Sequence, residues 1–379
     1  MTIRLKGMTW SHPRGYDPMV ACSAAWQQQT GVAIDWDKRS LQDFESFPVA
    51  ELAAAYDLIV IDHPHVGQIT HEGCLLPLDT AEHSDDLAAL SAGTVGRSYP
   101  SYHWQGRQWA FPIDAATQVQ AFRPDRFDGP VSDLEEVVRL TKAGRVLLPM
   151  RPPHSLMVFY TLAAHLGHDC TVEGPALIDK AAGTEVIDWM QRLTDGLDPA
   201  CYGLDPIAVL DRMGEVDCAQ DLSPLIYGYV SYSVAGFRPK PVAFADIAVI
   251  GGRPPNGSAL GGTGIAVSSR TQAPDAARAF ARWLASGPVQ RSLYAEADGQ
   301  PGHADAWEDA QVNARTLNFY RNTRATLEGA FVRPRHDGYM GFQEQAAQLL
   351  TAAFRDRTAG PSLVEDINDL FARSFAGAI

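Results

Sequence analysis

The amino-acid sequence predicts an α/β protein with two lobes. The chain has 379 residues, of which 46% are hydrophobic, and this is enough for two separate cores. Strand-like and helix-like patterns alternate through residues 3–62 in the order β-α-β-α-β, which is typical of an open parallel sheet covered by helices on both sides. A strand followed by an amphipathic helix occurs again near residue 265. These three observations favour the α/β class over all-α or all-β folds.

The first third of the chain supplies the predicted sheet. Its elements are a strand at 3–9, a loop at 11–18, a helix from Pro18 to Gly31, a strand at 32–37, a helix at 47–55 and a strand at 57–62. The last strand is apolar throughout its middle, as expected for a parallel strand buried on both faces. Ligands of such sheets bind beyond the carboxyl ends of the strands, so we expect segments 10–17 and 62–66 to face a ligand.

The stretch 261–302 is the most informative part of the sequence. Gly261, Gly262 and Gly264 permit close backbone approaches, and the apolar residues 265–267 that follow are typical of a strand. Pro274 suits the first turn of a helix. Apolar residues then recur at helical spacing until Gly287 and Pro288 end the helix.

This stretch resembles a crossover between the lobes of extracellular solute-binding proteins, specifically the carbohydrate-type family 1 of ABC importers. The helix at 276–290 and Pro301 match the family's helix and loop pattern. Residues 102–114 resemble the family's hairpin and strand, and 117–123 its first crossover. Two departures weaken the match: Phe122-Arg123 replaces a Tyr-Asn pair, and 225–229 lacks an expected tryptophan.

The resemblance implies a fold like that of type II periplasmic binding proteins, with two α/β lobes joined by a multi-strand hinge. We expect 1–115 with 262–325 to form the N-terminal lobe, and 116–261 with 326–379 to form the C-terminal lobe. The chain would cross between lobes near 115–120, 259–262 and 323–333. Several crossing strands favour hinge closure of the lobes around a ligand.

Composition narrows the function classes. The formal net charge of -14 argues against nucleic acid or an anionic membrane as the main partner. The five cysteines show no spacing typical of a disulfide framework or a zinc site, so we expect buried free thiols. The first residues do not read as a signal peptide. We therefore expect a periplasmic protein if a signal has been removed, and a cytoplasmic protein if Met1 is the native start.

Two polar clusters lie in the segments expected to face the ligand. The first holds Trp10, His12 and Arg14, in which arginine can bind a carboxylate through two hydrogen bonds and tryptophan can stack on a sugar. The second holds Asp62, His63 and His65. These residues suit hydrogen bonding to ligand hydroxyls; structural histidines and a metal site are the alternatives, although no third or fourth metal donor is evident.

Other candidate ligand-binding residues follow only from the regions that the resemblance places at the cleft. They are Asp114, Gln118, Arg151, His154, Tyr227, Thr263, His303, Arg335 and Tyr339. Ion pairing between the lobes is the alternative for Arg151 and Arg335, and edge-strand packing is the alternative for Tyr227. Because these regions are rich in histidine and arginine, we expect a polar ligand with an anionic group, such as a sugar acid.

The leading interpretation is the substrate-binding protein of an ABC importer, a monomer that closes on a small polar or anionic ligand and docks on the permease subunits. It needs no cofactor and no metal. The alternative is a cytoplasmic enzyme on the same fold, an isomerase, dehydratase or decarboxylase that uses His12, Asp62, His63 or His65 as acid or base. A cytoplasmic sensor is the third interpretation. Sequence motifs for nucleotide, P-loop or metalloprotease chemistry are absent.

Overall fold

The computed structural model describes residues 3–40 and 49–376. The chain forms two compact units. Unit 1 comprises Met1–Ala116 and Gly261–Ala314, and unit 2 comprises Thr117–Leu260 and Arg315–Ile379. The backbone therefore passes from one unit to the other at 116/117, 260/261 and 314/315. The last passage comes earlier than the boundary at 325/326 that the sequence suggested.

Ten strands lie in the described residues. In chain order they are β1 Arg4–Trp10, β2 Ala33–Arg39, β3 Leu58–Ile61, β4 Leu75–Leu76, β5 His103–Trp104, β6 Arg107–Gln108, β7 Ala110–Phe122, β8 Leu222–Tyr227, β9 Ala243–Ala245 and β10 Leu260–Ser268.

The helices cover most of the remaining chain. They are α1 Pro13–Thr30, α2 Val49–Ala55, α3 Val66–Glu72, α4 Ser84–Gly93, α5 Ser98–Ser101, α6 Leu134–Lys142, α7 His154–Leu166, α8 Lys180–Thr194, α9 Pro206–Met213, α10 Pro274–Leu284, α11 Gly287–Val289, α12 Ala304–Glu308, α13 Ala310–Arg315, α14 Phe319–Glu328, α15 Tyr339–Arg355 and α16 Ser362–Ser374. Among the residues described, no helix has both the length and the apolar character needed to span a bilayer.

Unit 1 contains the predicted parallel sheet. β1 pairs in parallel with β2 on one side and with β3 on the other, and β10 runs antiparallel to β3. One core lies between this sheet and helices α1 and α10, and includes Trp36, Phe280 and Leu284. A second core lies on the other face and includes Leu52 and Ile69. The sheet is thus covered on both faces, and β3 is buried at every position, as the sequence predicted for the strand at 57–62.

The segment after β1 is helical from Pro13 onward, so the prediction of a loop at 11–18 is wrong. Helix α1 begins at Pro13, and Pro18 lies inside it rather than at its start. Pro13 suits the first position because a first-turn N–H has no partner within the helix. The helix ends at Gly31, whose φ of +79° is a left-handed conformation that glycine adopts without strain. The helix predicted at 47–55 begins at Val49 in the structure; residues 47 and 48 lie outside the described part.

Unit 2 is organised around the second half of β7. This part of β7 pairs antiparallel with β8 and with β9. Helix α7 is buried at every position, and packs against α8 and α15. Helix α14 lies on β9, where Phe319 contacts Phe244 with ring centroids 5.1 Å apart. This packing explains why residues from 315 onward belong to unit 2.

Candidate functional site

The first turn of α1 is held against the end of β1. Trp10, the last residue of β1, is 3% exposed, and a Cβ atom on Gly15 would lie 2.3 Å from its indole ring. Thr9 donates from its hydroxyl to the Gly15 carbonyl at 2.8 Å. His12 caps the helix, because its Nδ1 accepts from the Arg14 backbone N–H at 3.1 Å. This contact leaves the proton of a neutral His12 ring on Nε2.

Arg14 forms a buried ion pair with Asp114 of β7. The Arg14 Nε–H donates to one carboxylate oxygen at 2.7 Å and the Nη2 group donates to the other. The two side chains are 4% and 0% exposed. Burial raises the pKa of the Asp114 carboxyl and the neighbouring Asp62 adds to this, while the Arg14 guanidinium opposes both. The pair fastens α1 to β7 across 100 residues of sequence.

Asp62, His63 and His65 form a short 3₁₀ turn directly after β3. Asp62 caps this turn, since its Oδ1 accepts from the His63 N–H at 2.8 Å. The His63 ring is fully buried and lies edge-on to Tyr102, with ring centroids 6.2 Å apart. Tyr102 in turn donates from its hydroxyl to the Ile61 carbonyl at 3.1 Å. His65 is 6% exposed. The two histidines of this segment are thus buried in a turn, and Asp62 is partly exposed.

Gly262 and Thr263 bring β10 against the same region. Gly262 has a φ of +91°, and a Cβ atom there would lie 2.3 Å from the Asp114 carbonyl oxygen, so a side chain is excluded at this position. Thr263 is 7% exposed, and no described residue forms a hydrogen bond with its hydroxyl. We refer to Trp10, His12, Arg14, Asp62, His63, Tyr102, Asp114 and Thr263 as the unit 1 cluster.

His303 lies in a different environment of unit 1. Its Nδ1 accepts from the Asp305 N–H at 3.3 Å, so the side chain caps α12. It also lines an open groove of about 590 Å³ together with Trp26, Arg282 and Trp283. Burial lowers the pKa of His303, with Asp305 opposing. His303 thus caps a helix and borders this groove, and its predicted contact with a ligand stays a prediction.

In unit 2, Gln118 of β7 has a fixed amide orientation. The Ala259 N–H donates to the Thr161 hydroxyl at 3.0 Å, and that hydroxyl donates to Gln118 Oε1 at 2.6 Å. Gln118 is fully buried, and its Nε2 has no acceptor among the described residues. The amide therefore presents two N–H donors that remain to be satisfied.

His154 contacts the strand partner of Gln118, Tyr227. Gln118 pairs with Tyr227 across the β7–β8 ladder, and the Tyr227 ring lies edge-on to His154 with centroids 6.1 Å apart. His154 and Thr161 are seven residues apart on α7, and so share one face of the helix. His154 is 4% exposed, and its Nδ1 makes no hydrogen bond within the described residues. We refer to Gln118, His154, Thr161 and Tyr227 as the unit 2 cluster.

Positive charge surrounds His154. Burial lowers the pKa of His154 to about 3, and the charges of Arg151 and Arg333 contribute to this. Arg151 is half-buried with Asp205 3.5 Å away, whereas Arg333 is 3% exposed and donates to Gln343 Oε1 at 2.9 Å. His154 is consequently neutral at physiological pH, and the arginines carry the charge.

Two predicted residues near the end of the chain differ in environment. Tyr339 is fully buried at the start of α15, and its hydroxyl lies 3.2 Å from Gln343 Oε1 and 3.4 Å from the Tyr160 hydroxyl. Arg335 is half-buried, and this burial lowers its pKa. Tyr339 thus belongs to an internal network, while Arg335 retains access to solvent.

Sequence reasoning missed Tyr102 of the unit 1 cluster and Thr161 of the unit 2 cluster. It also missed Tyr160 and Arg333, which lie outside the two clusters and interact with Tyr339 and Gln343. The signal for Arg333 was its position two residues before Arg335 in an extended segment, which places both side chains on one side. The other three are visible only through contacts with residues distant in sequence. Clusters of three or more histidine, cysteine, aspartate or glutamate residues that could hold a metal do not occur in the described ranges. All five cysteines are buried and free, as predicted.

A family model described as bacterial extracellular solute-binding protein matches residues 21–317. No protein among curated sequences matches the chain.

Solved structures that resemble the whole chain include three solute-binding proteins. One is an ABC transporter solute-binding protein from Agrobacterium radiobacter K84 in complex with ribitol, at 18% identity and a TM-score of 0.79, covering 98% of each chain. Another is maltose-bound MalE3 of T. maritima, at 14% identity and a TM-score of 0.78, covering 100% of each chain. A third, from Thermotoga lettingae, is bound with α-D-tagatose, at 13% identity and a TM-score of 0.78, covering 97% of this chain and 99% of that one. These matches confirm the predicted fold class, that of type II periplasmic binding proteins.

Proposed function

Because the chain belongs to the bacterial extracellular solute-binding proteins, we propose that it binds a small polyhydroxylated solute and delivers it to an ABC importer. The observation that carries this proposal is the family match over residues 21–317. The structural relatives carry ribitol, maltose and tagatose, which are all rich in hydroxyl groups. A sugar, a polyol or a sugar acid is therefore the ligand class we expect.

The two clusters differ in how they would serve such a ligand. In unit 1 we assign ligand contacts to Trp10, Asp62, His63, His65 and Thr263, with Trp10 offering a ring face to a sugar. His12, Arg14 and Asp114 hold the backbone that positions these residues. In unit 2 we assign contacts to Gln118, Arg151, His154, Tyr227 and Arg335. We assign no ligand contact to Tyr339, whose hydroxyl donates to Gln343 Oε1, the same oxygen that accepts from Arg333.

Binding would require no covalent chemistry. Hydrogen bonds to ligand hydroxyls, one aromatic face and displaced water supply the affinity in sites of this kind. The permease subunits of the importer are the protein partners. The family is extracellular by description, and we place the protein on the outer side of the cytoplasmic membrane. That it acts as a monomer stays a prediction.

The proposal is tested by titration calorimetry with ribitol, maltose, tagatose and their oxidised acids. We expect one ligand per chain, and a dissociation constant in the micromolar range or below for at least one compound, corresponding to about -8 kcal/mol or stronger. The absence of a binding heat for every compound of the panel would contradict the proposal. NMR of the same mixtures tests the enzyme alternative, since conversion of a ligand would reveal catalysis by the histidines and aspartates.

A further inference from the structure

We propose that the ligand is a sugar acid, and that its carboxylate accepts hydrogen bonds from Gln118 and His154 of the unit 2 cluster. This inference rests on the proposed function and names the ligand chemistry within it. Two observations support it: the donors that the cluster presents and the positive charges of Arg151 and Arg333 nearby.

The Gln118 amide can only donate to a ligand. Its Oε1 already accepts from Thr161, whose hydroxyl is itself fixed by the Ala259 N–H. Nε2 remains as the ligand-facing end, fully buried and without a described acceptor. A buried donor without a partner costs about 1–3 kcal/mol, so an acceptor that reaches it recovers that energy.

His154 can supply a second donor. Tyr227 connects the two residues, because it pairs with Gln118 in the β7–β8 ladder and its ring lies edge-on to the His154 ring. A neutral imidazole carries its proton on either nitrogen, and an acceptor placed at Nδ1 selects the tautomer with Nδ1–H. No described residue accepts from this nitrogen. The cluster thus offers donors from two side chains.

A carboxylate suits these donors better than a hydroxyl does. An ionised carboxylate has two acceptor oxygens, so it can accept from Gln118 and from the Nδ1–H tautomer of His154 together. The charges of Arg151 and Arg333 also act at His154, and a positive potential favours an anion over a neutral group. Asp205 balances part of the Arg151 charge, while Arg333 is buried against Gln343.

The experiment compares acids with the neutral compounds of the same carbon skeleton. The pairs are ribonate with ribitol, galacturonate with galactose, and maltobionate with maltose, each titrated into the full chain by calorimetry. We expect the acid of the preferred pair to bind about 10-fold tighter or more, since about 1.4 kcal/mol corresponds to tenfold in affinity. Equal or tighter binding of the neutral compound in every pair would overturn this inference and leave the proposed function intact. If no compound binds, both fail.

Variants of Gln118 test whether this residue causes the preference for the acid. Gln118→Glu keeps the shape of the side chain but replaces the N–H donors with a carboxylate oxygen, so we expect it to erase the preference for the acid. Gln118→Met removes the donors without adding charge, and serves if Gln118→Glu does not fold. Gln348→Glu is the matched control, because Gln348 is exposed on α15 and donates to Glu344. An acid preference that survives both Gln118 variants would overturn the assignment to Gln118.

Discussion

Arg14 of the unit 1 cluster and Gln118 of the unit 2 cluster are both buried polar residues, but they differ in whether the protein satisfies their hydrogen-bonding groups. In unit 1, histidine, arginine and aspartate hold the backbone: His12 and Asp62 cap helical turns, and Arg14 grips Asp114 through two hydrogen bonds. In unit 2, Nε2 of Gln118 and Nδ1 of His154 are buried and have no hydrogen-bond partner among the described residues. Arg14 is thus satisfied within the protein, whereas Gln118 and His154 keep hydrogen-bonding capacity for a ligand.

The difference shows that burial alone does not identify a ligand-binding residue. Arg14 and Gln118 are both buried, at 3% and 0% exposure. What separates them is whether their hydrogen-bonding groups are satisfied within the protein, because a satisfied group stabilises the fold and an unsatisfied one gains from a partner.

The largest effect should come from breaking the unit 1 ion pair. Arg14→Met leaves the Asp114 carboxylate buried without its partner, and we expect the free energy of unfolding to fall by about 3–5 kcal/mol. Urea denaturation measures the change. Arg4→Met is the control, because Arg4 pairs with Asp35 at an exposed position, where the loss should stay below about 1 kcal/mol. Similar losses in the two variants would mean that Arg14 is not structural.

A smaller effect should follow from a side chain at the point where β10 meets β7. Gly262→Ala places a Cβ against the Asp114 carbonyl and also strains a positive φ, and we expect a loss of about 2–3 kcal/mol. Gly106→Ala isolates the strain, since Gly106 has a φ of +75° but no atom within 4 Å of the added Cβ. Its cost should be about 1 kcal/mol. Equal costs would show that the close approach at Gly262 is easily relieved.

In unit 2, the burial of neutral His154 should make stability depend on pH. Its pKa falls from 6.5 to about 3 on folding, so only the unfolded chain binds the proton between these values. The stability is fully present above pH 6.5 and is lost as the pH falls toward 3, with about 2 kcal/mol lost between pH 7 and pH 5.

This pH effect is isolated by comparing the wild type with His154→Gln. Half-buried His336, whose pKa burial lowers to about 4, contributes equally to both proteins and cancels in the difference. We expect the variant to lose about 2 kcal/mol less than the wild type between pH 7 and pH 5, as measured by denaturation at each pH. Parallel pH profiles would rule out a neutral, buried His154.

The smallest effect concerns the cap of helix α6 in unit 2, which has an aspartate where α1 of unit 1 has His12. The sequence Ser132-Asp-Leu-Glu135 has the pattern of a capping box and predicts that Ser132 caps α6. In the structure Asp133 accepts from the Glu135 N–H at 2.9 Å and is the cap. Asp133→Ala should cost about 1 kcal/mol by thermal denaturation, and Ser132→Ala less than about 0.5 kcal/mol. A larger loss of stability from Ser132→Ala than from Asp133→Ala would show that Ser132 is the cap.

Elements with strong local signals were predictable. The apolar spacing of residues 154–166 and 362–374 predicts two helices, with prolines just before each, and the structure has α7 and α16 at these positions. The start of α1 was not predictable, because its cap is a histidine rather than a residue with a short polar side chain. The sequence also predicts a helix at 313–326, but positive φ values at Leu317 and Asn318 interrupt it in the structure.

The partners within the candidate site were beyond the reach of the sequence. Arg14 and Asp114 are each recognisable as candidates, but their pairing depends on bringing α1 against β7. The same holds for Thr161, which fixes the Gln118 amide across 43 residues. Residue type indicates what a side chain can do, and only the fold decides which of these groups remain to be satisfied.

The central claim is that Arg14 and Asp114 of unit 1 hold the fold, while Gln118 and His154 of unit 2 donate hydrogen bonds to the ligand. NMR of side-chain N–H groups during titration with ribonate, ribitol or whichever compound binds tests it directly, without altering any residue. We predict that the Gln118 Nε2 and His154 ring signals shift to saturation, while the Arg14 Nε signal keeps its position because its bond to Asp114 persists. A large shift at Arg14 with no change at Gln118 would contradict the account.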